Sequence, residues 1–145
     1  MKKRTGEPFM PAPAYGATLS GLSVNLLVRD MDRALVFARE VLGAAVVYAD
    51  ADFAVLRHGG AKWMLHADHT YLDHPLHGSL AAGDARGVGA ELRLHGCDPD
   101  AAQAAARAHG FTVLAGAMDK PHGLRECHIL DDEGYVWAPD VPLRR

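Results

Sequence analysis

From Leu22 to Arg29 apolar and polar residues alternate, and beyond Asp30 the step changes. Leu22, Val24, Leu26 and Val28 fall on one side of a two-residue repeat, with Ser23, Asn25, Leu27 and Arg29 on the other, which is the pattern of a half-buried strand. From Met31 the spacing is three and four. Met31, Ala34, Leu35, Ala38, Val41 and Leu42 form one stripe on a helix of about three turns. Asp30 is suited to cap that helix, Asp32 lies in its first turn, and Gly43 can end it in the left-handed conformation. The stripe must return to the strand face carrying Leu22, Val24, Leu26 and Val28. Ser23, Asn25 and Leu27 then look away from the helix, and that second face is where binding chemistry is expected.

The pattern continues with β-favouring runs at 44–48, 53–57 and 62–66, separated by the acidic turn at 50–52 and by Gly59-Gly60. Residues 67–87, rich in Gly, Asp and His, read as a long connection. Alternation resumes over 89–94, with Glu91 and Arg93 opposite Leu92 and Leu94. Asp98-Pro99 then starts an Ala-rich helix that ends at Gly110. Runs at 111–114, 125–130 and 135–138 follow, with a loop at 116–123 and a turn at 131–134. Strand, helix, strand, strand, strand occurs twice. This repeat predicts either two modules placing like faces around a shared concavity or an α+β sandwich whose halves are alike by chance.

Composition narrows the choice of partner. A length of 145 residues with 49% hydrophobic content supports a real core, and a net charge of -3 with mixed signs lacks the clustered positive field of a nucleic-acid binder. No apolar run approaches the ~18 residues of a membrane span. Cys97 and Cys127 are too few for a disulfide framework and have no CxxC spacing, so a reduced, cytoplasmic setting is expected. The basic, proline-broken start is not a secretory signal. Residues 1–20 read as an extended, flexible arm whose Phe9, Met10 and Tyr15 are apolar groups available to a partner subunit.

Val28-Arg29-Asp30, Leu42-Gly43 and the Asp131 to Gly134 turn, in that order, resemble the signatures of the vicinal oxygen chelate superfamily, which contains glyoxalase I, bleomycin-resistance proteins, fosfomycin-resistance enzymes and extradiol dioxygenases. Asp98-Pro99-Asp100 resembles the repeated helix start, and the similarity covers roughly residues 20 to 142. The resemblance implies an α+β fold of two βαβββ modules (21–66 and 88–142, joined by 67–87) forming a U-shaped mixed sheet around a concave pocket, with helices outside and often a homodimer. It also implies where metal-dependent relatives carry ligands. Here the first-strand position holds Ser23 and the last-strand position of the second module holds Ala138, neither a strong ligand, which leaves His66 and Glu91 as an incomplete set.

The residues alone give further candidates. His66 and His69 are open between a rim site and loop structure, while His74 and His77 read as exposed loop formers. Glu91 and Arg93, on the face opposite the helix, either orient a polar ligand or form salt bridges with each other's neighbours. Strand parity allows either Arg125 or the pair Glu126 and His128 to face the pocket, not all three. Trp63 and Trp137 are core residues or flat walls for a ligand. Ser23 lacks the turn of a nucleophile, and Gly87-Val88-Gly89 is followed by a strand where a phosphate loop requires a helix.

The expected function is small-molecule binding, including sequestration of a toxic or antibiotic-like compound, without a tightly held metal or other cofactor. Ser23, Asn25, Arg93, Arg125 and His128 are the polar candidates, Trp63 and Trp137 the aromatic ones, and Glu91 or His66 the base of any acid-base step. The alternative is a metal-dependent lyase, isomerase or dioxygenase using His66 and Glu91. A pocket filled by its own side chains, in a protein acting through its dimer surface, is the third.

Overall fold

A computed structural model describes residues 1–81, 86–87 and 89–144. Its core elements are β1 (Asn25–Val28), α2 (Met31–Val36), β2 (Ala45–Ala49), β3 (Phe53–His58), β4 (Ala61–Ala67), β5 (Glu91–His95), α4 (Pro99–Ala108), β6 (Thr112–Asp119), β7 (Leu124–Leu130) and β8 (Val136–Pro142). Two short helices, α1 (Ala12–Ala17) and α3 (His77–Ala81), lie outside this repeat. The strands form two four-stranded sheets of identical order, β1-β4-β3-β2 and β5-β8-β7-β6, each with one parallel pair (β1 with β4, β5 with β8) and two antiparallel pairs. This is the α+β, twice-repeated βαβββ architecture that the periodicity predicts.

The expected caps are present. Asp30 accepts a hydrogen bond from Arg33 N at 3.1 Å, and Asp98 accepts from Asp100 N and Ala101 N, with Pro99 opening α4. Gly43 has φ 67°, a conformation that costs glycine little. The first helix departs from the simple stripe: after Val36 it widens into a π turn over Phe37–Val41. The extra residue brings Phe37 inward beside Ala38 and Val41, so three residues of one turn are buried.

Other boundaries differ from the sequence pattern. Leu22, assigned to the core face, precedes β1 and is 93% exposed. β6 runs on to Asp119, through part of the expected loop, because its register slips against β7 and keeps it paired past Gly116. β8 continues to Pro142, with Pro139 and Pro142 tolerated in a strand that pairs β7 on one side and the short β5 on the other. The connection holds a 3-10 turn (Asp68–Tyr71) and α3, and its part at 82–85 and 88 lies outside the described residues.

The helix-bearing faces of both sheets close on one hydrophobic core. Trp63 of β4 meets Trp137 of β8 with ring centroids 5.3 Å apart, and Phe37 meets Phe111 edge to face at 4.9 Å. Ala102 and Ala106 of α4 are buried in the same cluster, and α4 packs on the π turn. The two signature turns also touch: Glu133 accepts from Arg29 N at 2.8 Å and Asp30 N at 3.2 Å, while the Tyr135 hydroxyl donates to Leu27 O. Each sheet thereby turns its other face away from the common core.

Candidate functional site

On the first sheet the register places Asn25 beside Met64 and Leu27 beside His66, with Phe53 across from His66 on β3. Asn25, Met64, His66 and Phe53 therefore share the face away from the helix, as the alternation of β1 predicts for Asn25. Asn25 donates its amide N–H to the Tyr71 hydroxyl at 2.8 Å, and its oxygen lies 2.5 Å from His66 Nδ1. With the amide oriented this way, Nδ1 carries the proton and Nε2 keeps its lone pair. Burial lowers the His66 pKa below its usual 6.5, so the ring is neutral at pH 7. The Phe53 ring stacks against it at 4.8 Å.

A cavity of about 280 Å³ opens over this face. His66, Met64, Phe53 and Thr70 form its floor, and the N-terminal arm forms its roof through Phe9, Met10 and Tyr15. The arm is tied down at Asp52, which is 2% exposed and accepts from Lys3 N at 2.6 Å, Arg4 N at 3.1 Å and His69 Nε2 at 2.6 Å. Burial alone would raise the Asp52 pKa, but the bonds from His69 and the two arm amides outweigh it and hold the carboxyl below its usual value. His69 thus anchors the arm and is no rim ligand. Phe9, Met10 and Tyr15, apolar groups available to a partner in the sequence reading, lie on their own chain's sheet. Tyr71, Lys2 and Arg4 had no periodic signal at all, since neither the arm nor the connection repeats; Met64 was readable from its two-residue offset to His66.

The remaining candidates lie elsewhere. Ser23 is exposed ahead of β1 and does not line the cavity. Trp63 and Trp137 are 6% and 5% exposed and pack on each other in the core, so they wall no pocket at either free face. Glu91, Arg93 and His128 share the free face of the second sheet with buried Glu126 and Asp140. There Arg93 joins Glu91 at 2.7 Å, Glu126 at 3.2 Å and Asp140 at 3.4 Å, and His128 lies 3.5 Å from Glu91. The hydrogen bond from Arg93 lowers the Glu91 pKa, which makes that carboxylate a weak base. Arg125 points to the opposite side, held by Asp100 at 2.8 Å and Asp119 at 3.0 Å, so parity puts Glu126 and His128 on the free face instead. His66 and Glu91 share no hydrogen bond or ion pair within the chain.

Among the described residues, the side chains around His66 and Glu91 do not make up the donor set of a divalent metal. The neutral side chains of Asn25, Tyr71 and Phe53 lie against the His66 ring, and Ala138 offers no ligand atom beside Arg93. Among the described residues no three His, Cys, Asp or Glu side chains converge as a metal site requires. Nor, among the described residues, is any helix long and apolar enough to cross a membrane.

Residues 22–138 match the family model described as Glyoxalase/Bleomycin resistance protein/Dioxygenase superfamily. No curated protein matches the sequence. Among solved structures, a glyoxalase/bleomycin resistance protein/dioxygenase family enzyme from Burkholderia phytofirmans PsJN is similar with TM-score 0.65 and 20% identity, covering 83% of this chain and 97% of that one. TioX from Micromonospora sp. ML1 gives 0.62 and 24%, over 87% and 98% of the chains. The fosfomycin resistance protein FosX from Mesorhizobium loti gives 0.58 and 17%, over 86% and 94%. At these identities the likeness to solved structures is one of fold.

Proposed function

The chain belongs to the Glyoxalase/Bleomycin resistance protein/Dioxygenase superfamily, and from that premise we propose that it binds and sequesters a small organic molecule between the first sheet and the N-terminal arm. The observation that carries this reading is the neutral His66 at the floor of an otherwise largely apolar cavity of about 280 Å³. Apolar walls provide burial, and one oriented acceptor, Nε2, provides direction, which is the usual division of labour in small-molecule sites. Asn25 and Tyr71 hold the ring so that a ligand N–H or O–H meets a prepared lone pair. A protein that buries a toxic compound in this way protects without turning it over.

Thermal unfolding in the presence of a panel of small, flat compounds, charged and neutral, tests the proposal. At least one compound raises the Tm in a concentration-dependent way, as ligand linkage requires. His66→Ala loses that protection and Glu91→Ala retains it. A panel with no protecting compound, or protection that survives His66→Ala and vanishes with Glu91→Ala, overturns the reading and favours chemistry on the second sheet.

A further inference from the structure

Resting on that reading, we propose that the ligand is a flat aromatic acid carrying a hydrogen-bond donor at its far end, with the N-terminal arm supplying half of its site. The shape follows from the rings. Phe9 and Tyr15 of the arm lie 5.8 Å apart, Tyr15 lies 5.6 Å from Phe53, Phe53 lies 6.4 Å from Tyr48, and Tyr48 lies 5.0 Å from Phe9. Three of these rings, with Met10 and Met64, line the cavity, so a planar aromatic body finds ring faces and edges on both the sheet and the arm side.

The charge follows from which polar groups already have partners. Asp52 has its acceptor sites filled by Lys3 N, Arg4 N and His69, with the Arg4 guanidinium at 3.8 Å, and Asp50 accepts from the Tyr48 hydroxyl, Asp52 N and Phe53 N. The Thr70 hydroxyl donates to Ala67 O. By contrast Lys2 lines the cavity, is exposed, and has no ion pair or hydrogen bond among the described residues, while Arg4 makes only the one long contact through its guanidinium. Unused capacity in this lining therefore includes cationic donors at the arm, the Tyr15 hydroxyl and a neutral acceptor at His66. A carboxylate beside Lys2 and Arg4, an aromatic ring lying against the wall formed by Phe9, Tyr15 and Phe53, and a phenolic O–H to His66 Nε2 make use of both the cations and the acceptor. Neutral or cationic aromatics leave Lys2 unpaired.

Calorimetric titration of the full chain with 4-hydroxybenzoate and the longer 4-hydroxycinnamate, against the neutral 4-hydroxybenzyl alcohol and the cation tyramine, reads the proposal directly. At least one of the acids binds more tightly than the alcohol by about fivefold or more, the scale of one charge-assisted contact at a partly exposed site. That advantage shrinks with added salt. Lys2→Ala, far from the core, cuts the advantage of the acid over the alcohol, and Lys2→Arg restores it. Equal or tighter binding of the alcohol or tyramine, or an acid preference indifferent to Lys2→Ala, overturns the aromatic-acid assignment. So does failure of all four probes. In each of these cases His66-dependent thermal protection by some other compound leaves the binding function standing, whereas its absence across the whole panel removes both.

Discussion

His66 acquires its character from Asn25. The amide oxygen at 2.5 Å fixes the proton on Nδ1, and burial keeps the ring neutral by lowering its pKa below 6.5. Because the unfolded chain binds that proton more readily than the folded one, the contribution of His66 to stability is full above 6.5 and declines as the pH falls below it. Asn25→Asp places a carboxylate where the amide oxygen stood. The expected result is a His66 pKa moved upward, seen in the pH titration of its imidazole carbon-bound protons by NMR, with a smaller loss of Tm on acidification; an unchanged titration would show that Asn25 does not govern the ring. Asn25 was legible in the sequence because strand alternation is a local property, fixed by the backbone, whereas His66 stood out by its place at the end of a strand under the family resemblance. Tyr71, the third member, sits in a 3-10 turn of the connection, and only its bond to Asn25 identifies it. Arg125 and His128 illustrate the limit: parity separates them, but which side meets the helix depends on the partner strand.

At the scale of elements, the turn following β7 is bound to the turn following β1. Glu133 is 5% exposed and receives two backbone N–H groups of the β1–α2 turn, while Arg86 from the connection bonds Asp68 at 2.6 and 2.5 Å, reaches Leu27 O at 2.9 Å and lies 3.7 Å from Glu133. Arg86→Ala leaves two carboxylates without their shared cation, one of them buried. We expect a loss of about 3 kcal/mol, read as a lower urea midpoint, since removing one side of a buried pair costs far more than the pair gains. Arg86→Lys keeps the charge but not the two-pronged geometry and falls between. Aspartates, glycines and prolines marked the positions of these turns in the sequence, whereas Arg86 sat unmarked in a long connection. The arm was likewise unreadable as a roof, because its aromatic residues have no period and acquire meaning only against Tyr48 and Phe53.

At the scale of the molecule, the two modules share one core, with Trp63 and Trp137 at their junction and Phe37 on Phe111 beside them. Neither helix-bearing sheet face can be exposed without opening the other, so unfolding should be a single cooperative step. Both tryptophans of the chain report that junction. Tryptophan fluorescence and far-ultraviolet circular dichroism are therefore expected to give coincident denaturation curves, and Phe111→Ala should lower both midpoints together by removing a buried ring. Separate transitions would show modules that fold independently.

By itself the sequence determined the order of strands and helices within the two modules, the caps at Asp30 and Asp98, and the repeat of the βαβββ unit, because each depends on residues close together in the chain; it did not show the short helices α1 and α3 of the arm and the connection. It also turned Asn25 away from the helix, while the register of β1 with β4 put His66 on the same face. The tertiary structure alone decided that Trp63 and Trp137 fill the core, that Glu91 and Arg93 are engaged in ion pairs on a different sheet from His66, and that the arm roofs the cavity. Those outcomes depend on which surfaces meet across the fold, and the side-chain period of a strand carries no information about what lies opposite it.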